Sequence, residues 1–295
     1  MIQVRNLSHS FGDKRVLDNL NLMLEDGEIL GLVGINGSGK STFLRLISGV
    51  LTPEEGEVLY DGEPVALGKT RENLFLLPDD PFYAVGTTCD SLFGLYQTFY
   101  PNINWDVYLE LLSYASLPRR RPLSSFSKGM RRQAFTAIAF AIAPKFLLLD
   151  EAFDGLDPLA RERFKKMVRQ AAEAGSTIII SSHALKELDG FCDNYLILSD
   201  TRFISPDHVA EKIGSFVKFQ VVFNTEPTRE MFGNLRIRRY EQNGRVATLL
   251  VEGNEGMVRE RLMSLNPLLI DRLEIEPGEI LIDAMEEMVE GGVRL

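Results

Sequence analysis

Residues 34–42 read GINGSGKST and fit G-x-x-x-x-G-K-[ST], with Gly34, Gly39, Lys40 and Ser41 in the fixed places. The apolar run EILGLVG precedes this loop and reads as a buried strand. STFLRLISG follows it and reads as a helix, with Phe43, Leu44, Leu46 and Ile47 on its apolar side and Gly49 as the stop. Strand, glycine loop and helix N-terminus in that order are the context that makes the pattern a phosphate site. Glycines let successive backbone N–H groups curl around a phosphate, and the helix dipole adds partial positive charge there. Lys40 is expected to reach the β- and γ-phosphates of a nucleoside triphosphate, and the Ser41 hydroxyl to ligate Mg²⁺. Asn36, Gly37, Ser38 and Thr42 complete the expected nucleotide contacts.

The rest of the chain reads as α/β. Residues 1–62 are β-rich, with apolar runs between Gly and Asp turns, and residues 83–143 turn helical, with apolar residues at three- and four-residue steps. KFLLLDE (145–151) and STIIISSH (176–183) are apolar strands with a helix between them, which makes a parallel βαβ unit buried on both faces. NYLILSDTRFI (194–204) reads as a further strand pair. The texture changes near residue 214. A strand, a short helix in PTREMFGN, a hairpin at Asn243-Gly244, a helix, a strand and a closing amphipathic helix in GEILIDAMEEMVE follow. The expected domains are therefore 1–214, with a helical part at about 83–130, and a small α+β domain at 215–295 in ferredoxin-like order.

A phosphate loop needs a second acidic element for Mg²⁺ and a group that activates water. Asp150 and Glu151 end a buried strand, where a charged pair is costly unless it meets a cation or a cleft. Asp150 is expected to orient Mg²⁺ and Glu151 to act on the attacking water. Parallel strand order places His183, at the end of the next strand, beside Glu151 at the sheet edge where ligands sit. FSKG at 126–129 is a Ser–Gly turn before a long helix, which reads either as an anion site or as a plain helix cap.

Together these residues resemble the nucleotide-binding subunit of an ABC transporter, over about residues 1–210 and closest to the single-cassette ATPases of multidrug and antibiotic export systems. GINGSGKS matches the phosphate loop, FLLLDE the acidic motif, and FSKGM stands where the family has LSGGQ. DGLD (154–157), including Asp157, matches the following loop, and His183 the switch histidine. The resemblance implies a P-loop NTPase fold that binds and hydrolyses ATP with Mg²⁺. It also implies a head-to-tail dimer with a second copy or a related subunit, in which Ser127 and Gly129 of one subunit close on the γ-phosphate held by the other, with Lys128 between them counted among the nucleotide-binding residues. A separately encoded integral membrane permease is the implied partner, on the cytoplasmic face of the membrane. Phe11 falls where the family stacks an aromatic on adenine, although a strand-end core aromatic is the other reading. Two positions depart from the pattern: Lys128 replaces a signature glycine, and Asp79 in LLPDDPFY stands where a glutamine usually touches Mg²⁺, so Asp79 is a third candidate metal ligand.

Composition narrows the alternatives. A net charge of −10 argues against a nucleic-acid partner, because phosphate backbones select basic patches. Cys89 and Cys192 show no paired spacing, so neither disulfide nor zinc is expected, and reduced cysteines without a signal segment point to the cytoplasm. No apolar run approaches the ~20 residues that span a bilayer. A soluble ATPase acting on nucleic acid or ribosomes, and a nucleotide-gated regulatory module, stand as the other functions open to this pattern. Lys40→Ala is expected to abolish or severely weaken ATP binding, and unchanged affinity by calorimetry would remove the phosphate-site assignment.

Overall fold

The computed structural model describes residues 1–65, 73–188, 190–204, 216–273 and 275. Contacts divide the chain into Met1–Phe203 and Ile204–Leu295.

The first unit holds two sheets. β1 (Ile2–Phe11), β2 (Lys14–Leu24), β4 (Glu55–Tyr60) and β5 (Glu63–Pro64) form an antiparallel sheet in the order β2-β1-β4-β5. β3 (Ile29–Val33), β6 (Leu74–Leu77), β7 (Phe146–Leu149), β8 (Thr177–Ser182), β9 (Asn194–Ser199) and β10 (Arg202–Ile204) form the second, in the order β10-β9-β3-β8-β7-β6. Its central pairs, β9–β3, β3–β8, β8–β7 and β7–β6, are parallel. Every residue of β3, β7 and β8 is buried, as expected for strands covered on both faces. Register then fixes where the loops emerge. Leu149 of β7 lies opposite Ile180 of β8, and Val33 of β3 lies opposite Ser182. The phosphate loop, the acidic pair and His183 therefore leave the sheet side by side.

α1 (Lys40–Ile47) follows the loop and buries Phe43, Leu44, Leu46 and Ile47. These residues join Leu30, Leu32, Phe146, Leu148 and Ile179 in a core shared with Ile2, Val4 and Leu17 of the antiparallel sheet. α2 (Cys89–Phe99) starts at a capping box between Thr88 and Ser91, and α3 (Trp105–Tyr114) at Asn104, whose side chain accepts from two backbone N–H groups. Phe93, Trp105 and Tyr108 pack ring to ring between these helices. α4 (Lys128–Ile142) is buried through Ala134, Phe135, Ala137, Ile138 and Ala141. α5 (Pro158–Glu173) crosses from β7 to β8, and α6 (Leu185–Leu188) follows β8.

The second unit has its own sheet: β11 (Phe216–Val222), β12 (Arg236–Asn243), β13 (Val246–Glu252) and β14 (Leu269–Leu273), in the order β12-β13-β11-β14 with every neighbour antiparallel. Alternate residues Val217, Phe219 and Val221 meet Ala247, Leu249 and Val251, and α7 (Glu255–Met263) adds Val258 and Leu262 to that core. The short helix expected in PTREMFGN is a single 3-10 turn, Arg229–Phe232. Thr228 stands extended before it and Gly233 turns away at φ 62, so only one turn fits between them. The closing helix expected at 278–290 lies outside the described residues.

Because each unit buries its own core, residues 1–214 alone are expected to fold and bind ATP. Thermal unfolding together with nucleotide calorimetry on that chain would check this. An insoluble product, or one that cannot bind nucleotide, would show that the cassette depends on the second unit.

Candidate nucleotide site

The phosphate loop is shaped by its backbone. Gly39 caps α1 at φ 106, a conformation that L side chains rarely adopt, and a Cβ there would lie 2.9 Å from Leu17 Cδ2. Gly34 is buried, Asn36 and Gly37 are exposed, and Ser38, Ser41 and Thr42 are half-buried. The Ser38 hydroxyl is buried without a hydrogen-bond partner among the described residues. An orphaned donor inside a loop of this shape suits an anionic oxygen.

Lys40 is 5% exposed, so its ammonium needs acceptors. It donates to the carbonyls of Gly34 at 2.6 Å and Ile35 at 3.2 Å, and pairs with Glu151 Oε1 at 3.0 Å. The other Glu151 oxygen, Oε2, accepts from the His183 backbone N–H at 3.2 Å and lies 2.9 Å from His183 Nδ1. Burial pushes the Glu151 carboxyl up, but the His183 hydrogen bond and the Lys40 charge together hold it below the ordinary glutamate value. Glu151 is thus kept as a carboxylate. Asp150, 3% exposed, accepts the Ser181 hydroxyl at 2.6 Å. Ser41, at the first turn of α1, and Asp150 supply the hydroxyl and carboxylate oxygens that suit a hard divalent cation. Among the described residues no three His, Cys, Asp or Glu side chains group as a metal site. A Mg²⁺ ion here would take most of its ligands from phosphate and water.

The other expected residues lie in distinct places. Phe11 ends β1 with its ring 53% exposed, edge-on to His9 at 4.9 Å, and so is not a core aromatic. Ser127 is the N-cap of α4, its hydroxyl accepting from Met130 N–H at 3.1 Å. Asp157 is the N-cap of α5, accepting from Ala160 N–H at 2.9 Å. Lys128, expected among the nucleotide-binding residues, donates to Asp154 at 2.5 Å, and that bond raises its pKa while lowering the Asp154 carboxyl. Gly129 packs so closely on the Asp154–Asp157 loop that a Cβ would lie 2.3 Å from the Gly155 carbonyl oxygen.

Asp79, expected from the sequence as a third Mg²⁺ ligand, pairs with Arg132 Nη2 at 2.8 Å, and Lys128 Nζ stands 3.6 Å from the same oxygen. Both cations face the same carboxylate oxygen, Oδ1. Sequence reading also missed Arg132 and Ser181. The available signals were an arginine inside a helix of small and apolar residues, and a serine at the end of an apolar strand.

Residues 17–154 match the family model described as ABC transporter. Over 290 residues the chain is 30% identical to the ABC transporter ATP-binding protein YtrB of Bacillus subtilis (strain 168), covering 96% of this chain and 97% of that one. It is 29% identical over 195 residues to the lantibiotic transport ATP-binding protein SrtF of Streptococcus pyogenes, covering 65% of this chain and 84% of the relative. A solved structure of an ATP binding subunit of an ABC transporter superposes with a TM-score of 0.66 at 27% identity, over 72% of this chain and 93% of the other.

The close approach at Gly129 makes it a sensitive position. In Gly129→Ala the added methyl meets backbone rather than a flexible side chain, so α4 and the Asp154–Asp157 loop must part. A stability loss of about 1–3 kcal/mol is expected in denaturant unfolding. Hydrolysis should fall while ATP affinity, expected to depend on residues 34–42, stays unchanged by calorimetry.

Proposed function

The chain belongs to the ABC transporter ATP-binding proteins, the ATP-hydrolysing subunits of these transporters, and from that premise we propose that it energises a separately encoded membrane permease through ATP-dependent pairing of two cassettes. Export is the proposed direction, since a relative 34% identical over 210 residues is named as a Nod factor export ATP-binding protein. These transport relatives do not favour action on nucleic acid or ribosomes. Among the described residues no helix is long and apolar enough to cross a membrane. Peripheral attachment to the cytoplasmic face through the permease is the corresponding proposal.

The observation that carries the reading is the chain of contacts from Lys40 to Glu151 to His183 at the ends of three adjacent strands. In this arrangement the phosphate-binding cation and the base for water neutralise each other. An arriving triphosphate offers Lys40 a stronger partner, and Glu151 is then released toward water while His183 keeps hold of its second oxygen. Ser41 and Asp150 would hold a bound Mg²⁺, which would supply charge neutralisation on the phosphate oxygens. Ser127 and Gly129 at the start of α4 are proposed to meet the γ-phosphate of the second cassette, and Phe11 to stack on adenine. The Asp157 loop is proposed to lie at the same junction.

Glu151→Gln is expected to retain ATP binding, because Lys40, Ser41 and Asp150 remain. Hydrolysis should fall by the ~10² to 10⁴ that a positioned base supplies. The variant should also form a dimer with ATP and not with ADP, seen by size-exclusion chromatography with light scattering. Hydrolysis at the unmodified rate would remove Glu151 from the reaction. Loss of hydrolysis without an ATP-dependent dimer would remove the shared site.

A further inference from the structure

The backbone of Glu151 is held as firmly as its side chain. It lies at φ 47, in the left-handed region that an L-residue keeps only when its surroundings support it. The Glu151 N–H donates to Ser181 Oγ at 2.9 Å. Its carbonyl accepts from Arg132 Nη2 at 2.9 Å, and Arg132 Nη1 donates to the carbonyls of Asp150 at 3.2 Å and Pro78 at 2.9 Å. Arg132 therefore spans the acidic pair just after β7 and the segment after β6 with one planar fork.

That guanidinium is 2% exposed, and a charge so placed needs a counter-ion. Asp79 supplies it at 2.8 Å. The same carboxylate faces the Lys128 ammonium, itself drawn to Asp154. A divalent cation on Asp79 would enter beside two positive groups, and like charges at such range repel strongly away from bulk water.

We propose that Arg132 is a positioning residue for Glu151, and that Asp79 serves hydrolysis through Arg132, as its counter-ion, and not as a ligand of the metal. The inference rests on Glu151 being the base for water, as proposed above. Its physical content is that the fork fixes the strained peptide from which the Glu151 carboxylate projects. Loosening the fork lets that carboxylate drift from the attacking water, while the Lys40, Ser41 and Asp150 side chains offered to the nucleotide are left in place.

The test uses the full chain carrying Asp79→Asn, Asp79→Glu or Arg132→Lys. ATP hydrolysis, ATP affinity and the Mg²⁺ concentration needed for tight ATP binding are measured, the last two by calorimetry. A misplaced catalytic group costs up to about a hundredfold, so Asp79→Asn is expected to lower hydrolysis by roughly ten- to a hundredfold. ATP affinity and its Mg²⁺ dependence should match the unmodified chain. Asp79→Glu keeps the charge and should recover most of the rate. Arg132→Lys keeps charge without the fork and should lose at least as much as Asp79→Asn; if it fails to fold, the two half-exposed Asp79 variants decide alone. In a Glu151→Gln background, Asp79→Asn should add no further loss.

A raised Mg²⁺ requirement in Asp79→Asn would overturn the proposal in favour of a metal ligand. Unchanged hydrolysis, or a full further loss in the Glu151→Gln background, would overturn it as well. These outcomes differ from failure of the underlying reading, in which Glu151→Gln itself hydrolyses ATP normally and the proposal falls with it.

Discussion

A buried ammonium must be surrounded by acceptors, and that requirement on Lys40 organises the site. Its acceptors come from the loop at the end of β3 and from Glu151 at the end of β7. Removing one partner from a buried ion pair costs about 3–5 kcal/mol, because the survivor is left charged and dry. The strand ends are therefore not free to separate, and the apolar strands behind them hold the same register. The pair is also exchangeable, since phosphate oxygens can replace a carboxylate around an ammonium. The Lys40 ammonium is thus kept desolvated and aimed, which limits the reorganisation needed when a triphosphate binds.

Polar groups behind the site do work that the apolar core cannot. A left-handed non-glycine residue costs of order 1–3 kcal/mol. At Glu151 that conformation coexists with hydrogen bonds to both sides of its peptide. Ser181 contributes twice, accepting from Glu151 and donating to Asp150. Farther along the same edge, Ser182 donates to Glu187, and Glu187 pairs with Arg161 of α5. Arg161 in turn donates to the Leu156 carbonyl, so the loops around Asp157 and His183 share one polar support. Close packing completes it, since alanines along α4 and the bare Gly129 let this helix approach.

The second unit follows simpler rules. Its sheet alternates apolar and polar residues, and α7 covers the apolar face at Val258 and Leu262. Its polar face carries ion pairs such as Arg238 with Glu252, partly exposed and worth little in stability. The contacts among Lys40, Glu151, His183, Asp150 and Arg132 all lie within the first unit.

Local pattern was enough for much of this protein. Continuous apolar runs identified β3, β7 and β8, the glycine and lysine spacing identified the phosphate loop, and Asn243-Gly244 identified the hairpin between β12 and β13. Even the neighbourhood of Glu151 and His183 was legible, because adjacent parallel strands release their loops at one edge. The partners of Asp79 and Lys128 were not. Both positions look like isolated departures along the chain, yet Asp79 lies 53 residues from Arg132 and Lys128 lies 26 from Asp154. Which charge neutralises which depends on how α4 settles against the ends of β6 and β7. Periodicity specifies the face a residue presents, whereas the pairing of distant charges is decided only when packing brings them within hydrogen-bond range and removes the water between them.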